Sequence, residues 1–122
     1  MRFITLIILL SLSVTAQSAP TVSDKSVFAF PNPARIHSTL RFEESGAGGI
    51  AEAVLYAIDG REVRRWVDAE FSRPKPGVRH AKWNLTNKFG QRVSSGVYLW
   101  ALTVRFPDGT SKRVISRVAV VR

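Results

Sequence analysis

Residues 89–102, FGQRVSSGVYLWAL, decide the fold of this chain. The bulky side chains that follow Gly96 occupy alternate positions: Tyr98, Trp100, Leu102 and Val104. Because successive side chains of a strand point to opposite faces, these residues share one face of a predicted strand. Gly90 and Gly96 mark two sharp bends, since glycine adopts positive φ without steric cost. The stretch therefore predicts two bends followed by a long, half-buried strand.

Short segments of the same kind lie on both sides of this stretch. The predicted strands cover residues 27–30, 38–43, 50–58, 63–67, 78–85, 97–106 and 112–121. Asp59-Gly60 predicts a type I′ hairpin, in which both central residues need positive φ. Seven short strands with turn signals every 8 to 12 residues or so are typical of a sandwich. We therefore predict an all-β, immunoglobulin-like (Ig-like) antiparallel β-sandwich of about seven strands.

The N-terminus has the pattern of a secretory signal peptide. A positive start at Met1-Arg2 precedes an apolar run over residues 3–12, and Val14-Thr15-Ala16 is a small-x-small cleavage site. The run is shorter than the roughly 20 residues that span a bilayer, so we expect no membrane anchor in the mature form. The predicted organisation is a signal peptide over 1–16, cleaved after Ala16 or nearby, a flexible leader over 17–26 and the sandwich over 27–122.

Composition narrows the classes of function. The chain has no cysteine, which excludes disulfides, thiolate zinc sites and cysteine nucleophiles. It has 18 Lys and Arg against 9 Asp and Glu. For an exported protein, this charge favours an anionic envelope polymer as a partner and gives no expectation of nucleic acid. The alternative is that the charges only solvate exposed strand faces.

The sequence offers no constellation for catalysis. His37 and His80 are the two histidines, and we expect His80 to be exposed on its strand. No nucleophile turn such as G-x-S-x-G is present, and no ligand spacing fits zinc or calcium. We therefore expect no enzyme activity, no cofactor, no metal and no catalytic residue.

The aromatic residues suggest one binding patch. Trp83 and Trp100 fit inward positions, whereas Trp66 lies near the end of its strand and is predicted to be partly exposed. Arginine and aromatic side chains are enriched at interfaces. The candidate partner-binding residues at this place are Arg64, Arg65, Trp66 and Arg73. If Trp66 is exposed, its replacement by alanine should weaken binding and leave thermal stability nearly unchanged.

Several motifs in a fixed order resemble small bacterial Ig-like domains. FPNP at 30–33, TLRF at 39–42 and LYAIDGREV at 55–63 resemble their PNP…T-x-I-x-F…V-Y-D-x-x-G-x-x-V pattern. Residues 83–98 resemble their W-D-G-x-D…G-x-x-V-x-S-G-x-Y segment. The positions that carry the resemblance are Pro31, Asn32, Pro33, Tyr56, Gly60, Trp83, Gly90, Val93, Gly96 and Tyr98. The chain departs from the pattern at Ala57, Asn84 and Leu85, where the family has acidic residues and glycine.

The families concerned are the Ig-like domain of the flagellar hook-capping protein (FlgD-like) and the C-terminal sorting domains of type IX secretion cargo. The resemblance implies a non-enzymatic exported module acting in secretion targeting or cell-surface attachment. It would lie in the periplasm, on the outer-membrane surface or outside the cell. Its partners would be the secretion or attachment machinery or another envelope protein, bound by strand addition at an edge. The basic last strand supplies the candidate contacts Lys112, Arg113 and Arg117.

Two alternatives stay open. One is a stand-alone periplasmic or extracellular binding protein for an anionic envelope polymer or a protein partner. The other is a structural domain like that of flagellar hook assembly. Salt separates the first alternative from strand addition, because salt screens an interaction between exposed charges.

Overall fold

The computed structural model describes residues 21–45 and 48–122, which form nine β-strands in two sheets. The strands are β1 (Thr21–Val22), β2 (Phe28–Phe30), β3 (Ser38–Ser45), β4 (Ile50–Ala57), β5 (Glu62–Trp66), β6 (Ser72–Lys75), β7 (Val78–Trp83), β8 (Gly96–Arg105) and β9 (Ser111–Val120). One sheet has the order β1-β3-β7-β6, with β2 also paired to β3, and the other has the order β5-β4-β8-β9. The predicted Ig-like sandwich is confirmed, with nine strands instead of seven.

The core lies between the inner faces of the two sheets. All four residues predicted to share one face of β8 are buried: Tyr98, Trp100, Leu102 and Val104. The Trp100 ring packs edge-on against Trp83 of the opposite sheet, with centroids 6.3 Å apart. The Tyr98 hydroxyl donates a hydrogen bond to the Ser94 carbonyl at 2.7 Å. A tyrosine that bonds back to the chain before this strand is a hallmark of Ig sandwiches.

Trp66 belongs to the core, so the prediction that it is partly exposed is wrong. Its relative exposure is 3%, and its ring lies 4.7 Å from that of Trp100. The β4–β5 pairing shifts by one residue, because Leu55 pairs with Arg64 whereas Tyr56 pairs with Glu62. This bulge reverses which residues of β5 point inward. Trp66 consequently faces the core.

The β4–β5 hairpin also differs from the predicted type I′ turn. The Ala57 N–H donates to the Arg61 carbonyl and the Gly60 N–H to the Ala57 carbonyl, both at 2.9 Å. Of the three loop residues, Gly60 has positive φ, +89°, and Asp59 does not. A three-residue loop with glycine in the left-handed region is the next most common hairpin connection.

Part of the predicted leader, residues 21–26, forms regular structure. Thr21 and Val22 pair with Ser45 and Glu44, and Val22 is buried. Residues Asp24–Ser26 form a short 3₁₀ turn. The apolar Val22 side chain explains the difference, because it joins the core. The expected signal peptide, its cleavage site and residues 17–20 lie outside the described residues. No helix within 21–45 or 48–122 is long and apolar enough to cross a membrane.

Candidate interaction surfaces

The C-terminal end of β9 is covered by the corner that follows β2. The Ala119 N–H donates to Asn32 Oδ1 at 3.0 Å, and the Ala119 carbonyl accepts from the Ala34 N–H at 2.7 Å. Asn32 Nδ2 donates to the Arg117 carbonyl at 3.2 Å, and the Val121 N–H donates to the Ala34 carbonyl at 2.9 Å. Residues 31–34 therefore form a corner at the edge of this sheet, and Asn32 takes the place of a strand at this end of β9.

The first half of β9 has an open edge. Both backbone groups of Ala119 point away from β8, and β9 keeps an unbroken register with β8 from Ser111 to Val120. Backbone direction alternates along a strand, so the groups of Arg113, Ile115 and Arg117 point the same way. Within residues 21–45 and 48–122, no strand pairs with β9 on this side of residues 111–116. We call the outward backbone groups of Arg113 and Ile115, with the N–H of Arg117, the open edge.

The side chains beside the open edge alternate between core and surface. Val114, Val118 and Val120 are buried. Arg113, Ile115 and Arg117 lie on the outer face of the sheet, where Ile115 is 54% exposed. The open edge is thus lined by one apolar side chain between two guanidinium groups.

The predicted basic residues of β9 lie on different faces of the strand: Lys112 is on one face, and Arg113 and Arg117 are on the other. Lys112 Nζ lies 3.0 Å from Asp24 Oδ1, so this lysine is paired with the turn before β2. Among the described residues, neither Arg113 nor Arg117 forms an ion pair. Arg113 and Arg117 therefore retain the charge that a partner would meet.

The apolar surface continues from β9 onto β8. Ile115 pairs with Ala101, and Arg117 pairs with Leu99. Ala101 is 4% exposed although it lies on the outer face, and Val97 near the start of β8 is 41% exposed. The outer face beside the open edge is therefore apolar at its centre and cationic along β9.

The structure does not form the predicted patch around Trp66. Trp66 is buried under Arg64, whose guanidinium lies 4.9 Å from the ring and donates to Asn84 Oδ1 at 3.0 Å. Arg65 points to the outer face and is paired with Glu52 and Glu62, and the hydrogen bond that it donates to the Glu62 carboxylate raises the pKa of Arg65. Arg73, the remaining arginine of the predicted patch, has its Nη2 3.9 Å from Asp68 Oδ2. The aromatic residue is inaccessible and each arginine already has a partner.

Sequence reasoning missed a buried arginine at one end of the sandwich. Arg79 is 1% exposed on the inner face of β7. Its Nη1 donates to Asp68 Oδ1 and its Nη2 to Glu44 Oε1, both at 2.6 Å, and Nη2 also bonds the Gly49 carbonyl. Asp68 Oδ1 accepts a further bond from the Ala51 N–H at 2.8 Å. The network ties β7 to the end of β3, the start of β4 and the turn after β5.

His80 of β7 lies in an aromatic and cationic surface on the outer face of the sheet that contains β3 and β7. Its ring packs edge-on against Phe30, with centroids 5.7 Å apart, and Arg41 lies 5.5 Å from the Phe28 ring. His80 lies on the outer face, opposite Ala81 and Trp83, but it is half-buried and not fully exposed. Its Nε2 is buried and has no hydrogen-bond partner among the described residues. Burial, with the charges of Arg41 and Lys82, lowers the pKa of His80.

The hydroxyl next to His37 has a structural partner. Ser38 is buried, and its Oγ donates to the Pro31 carbonyl at 3.1 Å. In the part of the chain that the structure describes, no three His, Asp or Glu side chains are grouped to hold a metal ion.

Comparison with known proteins finds similarity in solved structures. No family model and no curated protein matches the chain. A part of dimeric latent PorU from Porphyromonas gingivalis superposes with a TM-score of 0.64 and 24% identity over 87% of this chain. A part of PorZ, an essential surface component of the type IX secretion system of the same organism, superposes with a TM-score of 0.50 and 27% identity over 80% of this chain. A part of ChiW, a cell-surface multi-modular chitinase from Paenibacillus sp. str. FPU-7, superposes with a TM-score of 0.55 and 13% identity over 86% of this chain.

These similarities define the class of fold. The matched parts make up 10% of PorU, 12% of PorZ and 9% of ChiW, so this chain spans about a tenth of each protein. The chain is an Ig-like β-sandwich of a kind that also occurs as a small part of much larger bacterial proteins.

Proposed function

We propose that this chain is a non-enzymatic, exported Ig-like module that acts in secretion targeting or attachment to the cell surface. The observation that carries the proposal is the 27% identity to a part of PorZ over 80% of this chain, since PorZ is a surface component of type IX secretion. The superposition on a part of PorU supports the same fold. The similarity to PorZ, a type IX secretion component, favours the sorting-domain role over hook assembly.

The open edge of β9 is the surface that suits this role. A targeting module needs a rigid scaffold and a docking surface, and backbone groups on an exposed edge give affinity through strand addition. Arg113 and Arg117 supply the charge next to that edge, and Ile115 supplies apolar contact. The buried valines of β9 hold the edge in place on the sandwich.

A reporter fusion tests the proposal in a host with type IX secretion. The reporter is inserted directly before Thr21, because Val22 is already part of the core. Deleting residues 112–122 would also remove core valines, so charge reversal is the cleaner perturbation. The test variant is Arg113→Glu/Arg117→Glu, and the matched control is Arg61→Glu/Arg92→Glu, which reverses two exposed arginines away from β9.

The surface-exposed fraction of the reporter, measured by protease accessibility on intact cells, is the readout. We expect the wild-type module and the control to deliver the reporter, and the Arg113→Glu/Arg117→Glu variant to retain it in the periplasm. A wild-type fusion that stays in the periplasm contradicts the targeting role. Equal delivery by all three contradicts the role of the open edge.

A second candidate is a binding protein for an anionic envelope polymer. A groove of about 460 Å³ supports it, since its lining carries cations and donors and no carboxylate: His37, Thr39, Arg64, Lys82, Trp83 and Asn84. Binding of this kind should be lost as salt screens the charges. Retention on an acidic polysaccharide column that is unchanged by Lys82→Glu would argue against it.

A further inference from the structure

We propose that the open edge of β9 binds an extended peptide segment with the pattern acidic-x-apolar-x-acidic by β-strand addition. The inference rests on the proposed function and names the chemistry of the partner at the same surface. It follows from three features of the edge, which are its unpaired backbone groups, the side chains that alternate beside them and the charge that opposes pairing between two copies.

The backbone of the open edge fits one short added strand. Arg113 and Ile115 each present an N–H and a carbonyl outward, and Arg117 presents its N–H. The Arg117 carbonyl already accepts from Asn32 Nδ2. The added strand therefore ends beside Arg117, where the corner at residues 31–34 begins to cover β9. A segment of about five residues fills the open part.

The side chains of the outer face specify what the added strand carries. Residues directly opposite each other on adjacent strands have Cβ atoms about 4.5–5.5 Å apart and interact in pairs. A carboxylate opposite Arg113 and another opposite Arg117 neutralise the two guanidinium groups. An apolar residue between them packs on Ile115, which is 54% exposed. The pattern reads the same in both directions, so it serves a parallel or an antiparallel strand.

The same charges disfavour pairing with a second copy of the chain. An antiparallel pair of two β9 edges centred on Ile115 places Arg113 of one copy opposite Arg117 of the other. Like charges directly opposite destabilise a strand pair. Cationic side chains on edge strands commonly protect sheets from self-association. The edge therefore selects an acidic partner segment and rejects a second copy.

Residue-resolved amide exchange with a synthetic peptide tests the inference. The peptide has the core Glu-Thr-Val-Thr-Glu, and its counterpart has the core Lys-Thr-Val-Thr-Lys. In the free protein, the Arg113 and Ile115 amides should exchange faster than those of Val114 and Ser116, which face β8. The glutamate peptide should slow exchange at Arg113, Ile115 and Arg117 and leave Val114 and Ser116 unchanged. Fluorescence anisotropy gives the affinity of both peptides.

Two variants separate strand addition from attraction between charges. Ile115→Pro removes an N–H that faces away from β8, and proline is tolerated at such positions of edge strands. It should abolish binding with an unchanged near-ultraviolet circular dichroism spectrum. Arg113→Glu/Arg117→Glu should weaken the glutamate peptide about tenfold or more and favour the lysine peptide. The Arg61→Glu/Arg92→Glu control should bind like wild type.

Three results overturn the inference: equal binding of both peptides, binding without protection of Arg113 and Ile115, and no binding of the glutamate peptide. The result is independent of export. If the reporter reaches the surface but the glutamate peptide does not bind, the inference fails and the proposed function stands. If the peptide binds with the expected protection but the reporter is not exported, the strand addition stands and the targeting role fails.

Discussion

Replacing Arg79 by methionine should destabilise the domain by about 3–5 kcal/mol. Methionine keeps much of the apolar volume but removes the guanidinium that pairs with Glu44 and Asp68. The Asp68 side chain is 34% exposed and keeps its bond from the Ala51 N–H, so solvent stabilises its charge. The Glu44 side chain is 6% exposed and loses its arginine. Leaving a buried charge unpaired costs about 3–5 kcal/mol, which sets the magnitude.

Urea denaturation, followed by the fluorescence of the three tryptophans, measures the effect. A loss of this size lowers the melting temperature by about 12 °C or more in a domain of this length. The double variant Arg79→Met/Glu44→Met removes both charges and should recover about 2–3 kcal/mol of the loss. A loss below about 1 kcal/mol for Arg79→Met would show that the Glu44 carboxylate does not depend on Arg79, and so would a double variant that is no more stable than the single one.

Three further predictions concern two core residues and the dependence of stability on pH. Trp66→Ala should lower the free energy of unfolding by about 3–5 kcal/mol in chemical denaturation, because Trp66 packs on Trp100. A loss under about 1 kcal/mol would indicate that Trp66 is not part of the core. Tyr98→Phe should cost about 0.5–1.5 kcal/mol in the same assay, since it removes the bond to Ser94, and an unchanged midpoint would contradict that bond. Folding lowers the pKa of His80, so the unfolded chain binds more protons below pH 6.5 or so. Thermal melts should show full stability above that pH and a decrease as the pH falls towards the lowered value; His80→Gln should flatten this dependence, and an equally steep profile in the variant would contradict it.

The sequence predicts the sandwich because its strongest strand has an uninterrupted alternation. From Tyr98 to Val104, each second residue is large and apolar, and no bulge interrupts the pairing of β8 with β4 or β9. The alternation in β9 likewise predicts that its valines at 114, 118 and 120 face the core. In such strands, the period of two determines which residues face the core.

The local pattern does not predict the burial of Trp66, and it does not identify the ion-pair partners of Arg79. The bulge in β5 reverses the alternation between Glu62 and Trp66, and no residue in this strand indicates a bulge from the sequence. Arg79 has the same parity as Ala81 and Trp83, which is a signal that the arginine points inward. Its carboxylate partners, however, are 11 and 35 positions away, so the sequence alone does not identify them.

The candidate surface was predictable only in part. The basic character of the last strand is evident in the sequence, whereas its place at the edge of the sheet comes from the structure. The sequence does not show that Asn32 covers one half of β9 and leaves the other half open, because this depends on contacts 85 and 87 positions apart. Nor does it show that Lys112 is paired with Asp24 while Arg113 and Arg117 remain unpaired within the described part of the chain.

The most direct test of the proposed function is the cellular destination of a reporter that carries the intact module. The fusion is expressed in a host with type IX secretion and in the same host with that system inactivated. If the module targets its fusion partner for secretion, protease should remove the reporter from intact cells of the first strain and spare it in the second. A reporter that is equally protected in both strains would contradict the targeting role.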